Sequence, residues 1–242
     1  MILFFTMLPA QELNQLFLQA NKAYTSEKYQ EAIELYQGIL SQGYQSAEVY
    51  FNLGNCYYRL NEIGQAILYY EKARQLDPQD PDIQYNLELA NLRVIDRVEM
   101  PPRFFLFEWW DEIKTFYSIH QLTYLVLILF SATLVILMIW LYIRNYRFKR
   151  LVLSLSVITA ILTIFWAYIF FIRVREYHTH REAIILVPSV TVFSAPDENS
   201  TDVFVLHEGV KVYLDDQRSD WVKISLPDGK TGWIKNQTFG II

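Results

Sequence analysis

Two apolar stretches decide the fold of this chain: LTYLVLILFSATLVILMIWLYI at residues 122–143 and LVLSLSVITAILTIFWAYIFFI at residues 151–172. Each contains 22 residues and no Asp, Glu, Lys or Arg. At a helical rise of about 1.5 Å per residue, each can span the ~30 Å hydrocarbon core of a bilayer. A buried helical hairpin in a soluble domain is the alternative, but such helices are amphipathic and rarely uncharged over this length. We therefore predict two transmembrane helices.

The connector between the two stretches, residues 144–150 (RNYRFKR), carries four basic side chains in seven residues. A connector this short predicts a helical hairpin. Lys and Arg in short flanks are retained on the cytoplasmic side of a membrane. The connector is denser in basic residues than the other two flanks, so we predict that it is cytoplasmic. Both large flanking regions are then expected on the outer side.

Three shorter segments surround these elements. Residues 1–10 (MILFFTMLPA) resemble the end of a secretory signal peptide, and the alternative is an apolar N-terminus. Residues 101–121 are predicted to form a juxtamembrane linker, and residues 173–182 a charged neck. Export of the region that follows a signal peptide agrees with the topology predicted from the connector.

An internal repeat precedes the first apolar stretch. When the sequence is shifted by 34 residues, residues 13–46 align with residues 47–80 without a gap, which pairs Asn21 with Asn55. A period of this length is that of the tetratricopeptide repeat, a helix-turn-helix unit. The second unit, AEVYFNLGNCYYRLNEIGQAILYYEKARQLDPQD, resembles that family nearly position for position.

The resemblance implies an α-helical repeat domain over residues 11–100. In its second unit Gly54 permits close contact of the paired helices. Asp80 followed by Pro81 is a helix-start signal, and we predict a third helix from Pro81 to about Ile95. This half-repeat is expected to cap the stack, as terminal repeats do.

The first helix of each repeat is expected to present a concave face to a partner. Paired asparagines can hydrogen-bond an extended peptide backbone, and we predict that their side chains point away from the contact between paired helices. Some family members clamp a C-terminal carboxylate with a lysine at the two positions that are phenylalanine here, so carboxylate capture of that kind is not implied. The alternative is that the aromatic residues only pack against one another. The predicted peptide-binding residues are Phe17, Asn21, Phe51, Asn55, Tyr58 and Arg59.

The region after the second apolar stretch, residues 183–242, consists of short alternating runs separated by turn signals. Five such runs predict five strands. The region resembles the bacterial SH3-like domain, notably in SVTVFSAP, LHEGVKVYL and DWVKISLPDGKTGWI, which implies a small all-β barrel. Tyr213, Trp221 and Trp233 are predicted to line a groove for a peptide or a glycan. The alternative is that these aromatic residues pack within the barrel.

Charge and composition exclude several function classes. The formal net charge is -5, and the two regions outside the membrane part are acidic, which argues against a nucleic-acid partner. Cys56 is the single cysteine, so no intrachain disulfide can form. The sequence contains no phosphate-binding loop, nucleophile elbow or paired-cysteine metal motif. We therefore expect no catalytic residues, no metal and no cofactor, and predict a protein that is not an enzyme.

The order of elements, from repeat pair and capping helix through short-connector hairpin to SH3-like barrel, resembles the TPR and SH3 membrane proteins of the Bat aerotolerance operons (BatE-like). The resemblance implies a bacterial inner-membrane scaffold with both other regions in the periplasm. It also implies protein partners: von Willebrand-type membrane proteins and a MoxR-type ATPase. The alternative is a cell-wall module whose barrel binds peptidoglycan while the repeats recruit a wall enzyme. A transporter is disfavoured because neither apolar stretch contains an ionisable residue of the kind that transport pathways use.

Overall fold

A computed structural model describes residues 10–98, 104–179 and 181–242. The described residues up to 98 and from 181 onward form one compact unit, and residues 104–179 form a second. Of the predicted signal-peptide remnant at residues 1–10, all but Ala10 lies outside the described residues, and Ala10 begins the first helix.

Five helices build the repeat region, and they pair as the 34-residue offset predicts. Ser46 and Asp80 cap the helices that follow them, since each side chain accepts a backbone N–H from the first turn. The capping helix ends at Asn91 rather than near Ile95. The helices are α1 (Ala10–Thr25), α2 (Tyr29–Ser41), α3 (Ala47–Arg59), α4 (Ile63–Leu76) and α5 (Pro81–Asn91).

Seven strands form the barrel region, where the sequence predicted five. Strand β1 begins inside the predicted neck, and it pairs antiparallel with both β4 and β7. The sheet order is β3-β2-β6-β5-β4-β1-β7. The strands are β1 (Arg181–Ile185), β2 (Ser189–Phe193), β3 (Asp202–His207), β4 (Lys211–Arg218), β5 (Trp221–Ser225), β6 (Thr231–Lys235) and β7 (Phe239–Ile241).

Helix α4 has a second buried face, and that face packs against the barrel. Gly64, Ile67, Leu68 and Glu71 follow the i, i+3, i+4, i+7 spacing of one helical stripe, and all four are buried. A Cβ placed on Gly64 would lie 2.8 Å from the carbonyl oxygen of Ile185 in β1. The backbones of the barrel and of the repeats therefore approach each other closely at Gly64.

Glycines on the barrel side make the same close approach. A Cβ on Gly209 would lie 3.0 Å from Ile67 Cδ1, and one on Gly240 would lie 2.6 Å from Leu68 Cδ2. Ile184 of β1 is fully buried and belongs to the hydrophobic core of the helices. The sequence predicted two separate modules, and the structure instead joins them through one shared core.

Charged groups complete this interface. The Glu71 side chain is 8% exposed; its Oε2 lies 2.5 Å from Arg74 Nη2 and 3.6 Å from Nζ of Lys211 in the barrel. After α5, Asp96 accepts the backbone N–H of His207 at 2.6 Å and lies 3.0 Å from His207 Nδ1. A buried carboxylate is stable only when it is paired in this way.

The second unit contains three helices: α6 (Phe105–Thr115), α7 (Ile119–Tyr142) and α8 (Tyr146–Thr179). Helix α6 lies in the predicted linker, and its Lys114 forms a 3.0 Å ion pair with Glu176 of α8. The connector is shorter than predicted, because only residues 143–145 are not helical between α7 and α8. Helix α8 also continues through most of the predicted neck.

Helices α7 and α8 are long and apolar enough to cross a membrane, by the criteria of length and composition. They pack against each other through small polar side chains, with Thr133 Oγ1 3.4 Å from Thr163 Oγ1. Only 6% of the most apolar part of α7 and 17% of that of α8 is buried. The core helix of a soluble protein would be mostly buried.

Candidate functional site: the first-helix face

The first helices of the three units each leave the same stripe of residues unburied. In α3, Phe51, Asn55 and Arg59 are spaced four residues apart, so they lie on one stripe of the helix, and none of the three is buried. The equivalent positions in α1 and α5 are also unburied. We call this surface the first-helix face. Its residues are Phe17, Leu18, Asn21, Tyr24, Phe51, Asn52, Asn55, Tyr58, Arg59, Tyr85, Asn86, Leu92 and Arg93.

The two predicted asparagines on this face bind tyrosines of the second helix in their own repeat. The Tyr36 hydroxyl donates to Asn21 Oδ1 at 2.5 Å, and the Tyr70 hydroxyl donates to Asn55 Oδ1 at 2.8 Å. Burial raises the pKa of both tyrosines, so their hydroxyl groups remain donors even at alkaline pH. The prediction that these asparagines point away from the contact between paired helices is therefore wrong.

A second pair of asparagines links neighbouring helices along the face. Asn52 Nδ2 lies 3.3 Å from Asn21 Oδ1, and Asn86 Nδ2 lies 3.5 Å from Asn55 Oδ1. The same contact thus recurs at the 34-residue offset and makes the face continuous across α1, α3 and α5. Within the described ranges, neither Asn21 nor Asn55 has an acceptor for its own amide N–H groups. Those donors are unused among the described residues.

The aromatic residues of the face are partly packing residues. Phe17 lies 6.0 Å from the Tyr36 ring and Phe51 lies 5.9 Å from the Tyr70 ring, measured between centroids. Tyr85 occupies the equivalent position in α5, which has no second helix to supply a tyrosine, and its side chain is 62% exposed. Packing explains Phe17 and Phe51 in part, and it does not explain Tyr85.

Sequence reasoning missed Asn52, Tyr85, Asn86 and Arg93. The signal was available, because α5 continues the 34-residue offset: Asn86 follows Asn52, and Arg93 follows Arg59. Extending the alignment to the half-repeat would have found all four.

Of the three predicted groove residues of the barrel, Tyr213 lies apart from Trp221. Tyr213 pairs with Ser225, whereas Trp221 pairs with Arg218 at the other end of β5. At about 3.3 Å per residue this places them roughly 13 Å apart along the strand. Trp233 is 7% exposed and lies beneath the Arg218 guanidinium, which is 5.2 Å from its ring centroid.

Trp221 is half-buried on the outside of the barrel. Its ring meets that of Phe193 edge-on, with centroids 5.5 Å apart, and the Lys235 ammonium lies 5.9 Å from the Trp221 ring centroid. Phe193 was not recognised from the sequence. Phe193 also pairs with Trp233 in the sheet, so it lies beside both predicted tryptophans, and Tyr213 is not part of this aromatic cluster.

Reactive groups are sparse in the part of the chain that the structure describes. No group of three or more His, Cys, Asp and Glu side chains there could hold a metal ion. Cys56 is fully buried, and burial raises the pKa of its thiol to about 12. A thiol in this environment stays protonated and packs as a small apolar group.

Comparisons with known families agree with both folded regions. The family described as Tetratricopeptide repeat matches residues 17–81, and the family described as Bacterial SH3 domain matches residues 188–239. The chain therefore contains a tetratricopeptide repeat region and a bacterial SH3 domain, and two long apolar helices lie between them in the sequence. No curated protein matches the chain.

Solved structures similar to this chain include tetratricopeptide-repeat proteins. The Yersinia enterocolitica type III secretion chaperone SycD, in complex with a peptide of the translocator YopD, is 22% identical over 35% of this chain and 65% of its own, with a TM-score of 0.34. PcrH in complex with the chaperone binding region of PopB is 22% identical over 36% and 69%, with a TM-score of 0.35. The Sgt2 TPR domain from Aspergillus fumigatus is 26% identical over 36% and 58%, with a TM-score of 0.33. This chain thus spans less than two thirds of the SycD chain.

Proposed function

We propose that this protein is a membrane-anchored scaffold, without enzymatic activity, whose first-helix face binds an extended segment of a protein partner. The observation that carries the proposal is the repeated set of hydrogen bonds that Asn21 and Asn55 make along the first-helix face. Tyr36 and Tyr70 hold the oxygens of Asn21 and Asn55, so the two amide groups have fixed orientations and unused donors. Donors fixed in advance lose little entropy when they bind peptide carbonyl groups.

Photocrosslinking tests this binding. A photoreactive phenylalanine at Tyr85, which is exposed on the face, is expected to form covalent adducts with a partner protein in cells. The same residue at Tyr44 is the control, because Tyr44 is 51% exposed but lies in the turn between α2 and α3. Equal adducts at both positions, or none at Tyr85, would contradict binding at the first-helix face.

A third position tests a second candidate function, binding of peptidoglycan by the barrel. The observation in its favour is the half-buried Trp221 beside Phe193, since aromatic rings on a surface stack on apolar faces of a ligand. Attachment of cell-wall material at position 221, with no protein adduct at position 85, would favour this second function.

The membrane part of the proposal is supported by the two apolar helices and by the way the chain divides. Helices α7 and α8 remain largely unburied. The residues before and after them belong to one compact unit with a shared core, so both must lie on the same side of any membrane that the helices cross. A two-helix hairpin satisfies that requirement. Exposed Phe105, Phe107 and Trp109 on α6 suit the headgroup region.

The proposed orientation places the connector in the cytoplasm and the repeats and barrel in the periplasm, because basic residues concentrate at the connector. Single cysteines at the exposed positions Glu88, Asn199 and Arg147 test it. A membrane-impermeant maleimide added to intact cells is expected to label positions 88 and 199, and to label position 147 only after permeabilisation. The native Cys56 is buried and serves as the unlabelled control.

Two other outcomes are informative. Labelling of only one of positions 88 and 199 would contradict the hairpin. Labelling of position 147 alone in intact cells would show the inverted orientation.

The resemblance to the BatE-like proteins supports a narrower proposal for the partner. We propose that the scaffold works within an aerotolerance complex at the inner membrane that includes a MoxR-type ATPase, and that a von Willebrand-type membrane protein is the partner of the first-helix face. Recovery of such a protein in the adducts at position 85 would identify it.

A further inference from the structure

Two arginines recur at equivalent positions of the first-helix face. Arg59 donates from Nε to the Tyr29 hydroxyl at 3.0 Å, and its guanidinium lies 5.5 Å from the centre of that ring. Arg93 lies 34 residues later, donates to Asn61 Oδ1, and lies 5.4 Å from the centre of the Tyr58 ring. Each guanidinium is thus held in place by an aromatic ring and one hydrogen bond.

Neither arginine forms a salt bridge within the described part of the chain. No carboxylate there lies within ion-pair distance of Arg59 or Arg93, although residues 11–100 contain 13 acidic and 7 basic side chains. Arg74, in the same region, pairs with Glu71 at 2.5 Å. Both arginines of the face are exposed, and an arginine has five N–H donors, of which each uses only some here.

We propose that Arg59 and Arg93 bind the carboxylate side chains of aspartate or glutamate residues in the partner segment. This inference rests on the proposed function of the first-helix face. Guanidinium groups fixed on tyrosine rings are prepared for a bidentate bond with a carboxylate. The partner segment is therefore acidic, and its acidic residues alternate with apolar ones that meet Phe51 and Tyr85.

Acidic side chains fit the two arginines better than a chain terminus does. Arg59 ends α3 and Arg93 lies in the turn that follows α5, so the two arginines belong to successive units and two carboxylates are needed to engage both. In an extended chain, residues i and i+2 point the same way and lie about 7 Å apart. A C-terminal carboxylate is one group, and Phe17 and Phe51 occupy the positions at which a lysine would hold it.

Synthetic peptides test the inference on the full-length protein in detergent micelles, by fluorescence anisotropy. The acidic probe is a labelled 12-residue peptide of alternating valine and glutamate, acetylated and amidated at its ends. The neutral probe has glutamine in place of glutamate, and a third probe is the neutral peptide with a free C-terminal carboxylate. We expect the acidic probe to bind about tenfold more tightly than either of the others.

Charge variants identify the groups responsible. Arg59→Gln and Arg93→Gln are each expected to lower the affinity for the acidic probe about tenfold and to leave the affinity for the neutral probe unchanged. Arg59→Lys should give an intermediate loss, because it keeps the charge without the bidentate geometry. The control is Lys230→Gln, which removes one positive charge from an exposed turn of the barrel. Thermal melts of all variants should match the wild type, since these side chains are exposed.

Each remaining outcome overturns the inference. Equal binding of the acidic and neutral probes overturns it, and the proposed function stands if adducts at position 85 persist. If Lys230→Gln lowered the affinity for the acidic probe as much as the arginine variants do, the effect would come from overall charge and not from the two arginines. If the protein preferred the probe with a free C-terminal carboxylate, and Arg59→Gln removed that preference, the arginine would bind a chain terminus instead. Absence of binding by the acidic probe also rejects it.

Discussion

Replacing Gly64 with leucine is expected to separate the barrel from helix α4 and to destabilise both. A Cβ at this position would already lie 2.8 Å from the carbonyl oxygen of Ile185 and 3.4 Å from the Glu208 side chain. Neither β1 nor the turn before β4 can yield without losing other contacts of the shared core. Overpacking of this kind costs about 1–3 kcal/mol.

Hydrogen exchange of the full-length protein measures this effect segment by segment. In Gly64→Leu we expect faster exchange in α4 and in β1 together, because they are parts of one cooperative unit. The control is Gly38→Ala in α2, where nothing lies within 4 Å of an added Cβ. Alanine there is expected to be neutral or to stabilise by about 0.5–1 kcal/mol.

The opposite result would separate the two regions. If Gly64→Leu left exchange in the barrel unchanged while it accelerated exchange in α4, the repeats and barrel would be independent modules. The shared core would then have no energetic consequence.

The sequence predicted the repeats well because their signals are local. The 34-residue offset fixes which helices pair, and Gly54 marks where they touch. The sequence could not predict the barrel interface. Glu71 has the pattern of an ordinary solvated charge, and only the structure shows that Lys211 lies beside it. That partner lies 140 residues away in the sequence, across both apolar stretches.

The contacts of the predicted site residues could be predicted from the sequence only in part. Asn21 and Asn55 were recognised because they repeat, yet the same repetition also serves the fold, through Tyr36 and Tyr70. A hydrogen bond between two helices leaves no signature in the spacing of either residue. These Asn residues therefore bind the neighbouring helix through their oxygens, and the proposed ligand binding would use their N–H donors.

Replacing Gly54 with leucine is expected to disrupt the repeat and the first-helix face together. A Cβ on Gly54 would lie 2.5 Å from both Cδ1 and Cε1 of Tyr70. The Tyr70 side chain is 1% exposed, so its ring has no space into which it can move. Displacing the ring also breaks the hydrogen bond to Asn55, and a buried polar group left without its partner costs about 1–3 kcal/mol in addition.

Far-UV circular dichroism melts of the full-length protein and crosslinking at position 85 measure the two effects. We expect Gly54→Leu to melt at a markedly lower temperature and to lose the partner adduct. Tyr70→Phe is the matched control, because it removes only the hydroxyl group and keeps the ring. That variant should lose about 1 kcal/mol and retain the fold, while the Asn55 amide keeps only its longer contact with Asn86. A Gly54→Leu protein that melted like the wild type would show that the close contact between α3 and α4 at Tyr70 does not stabilise the repeat.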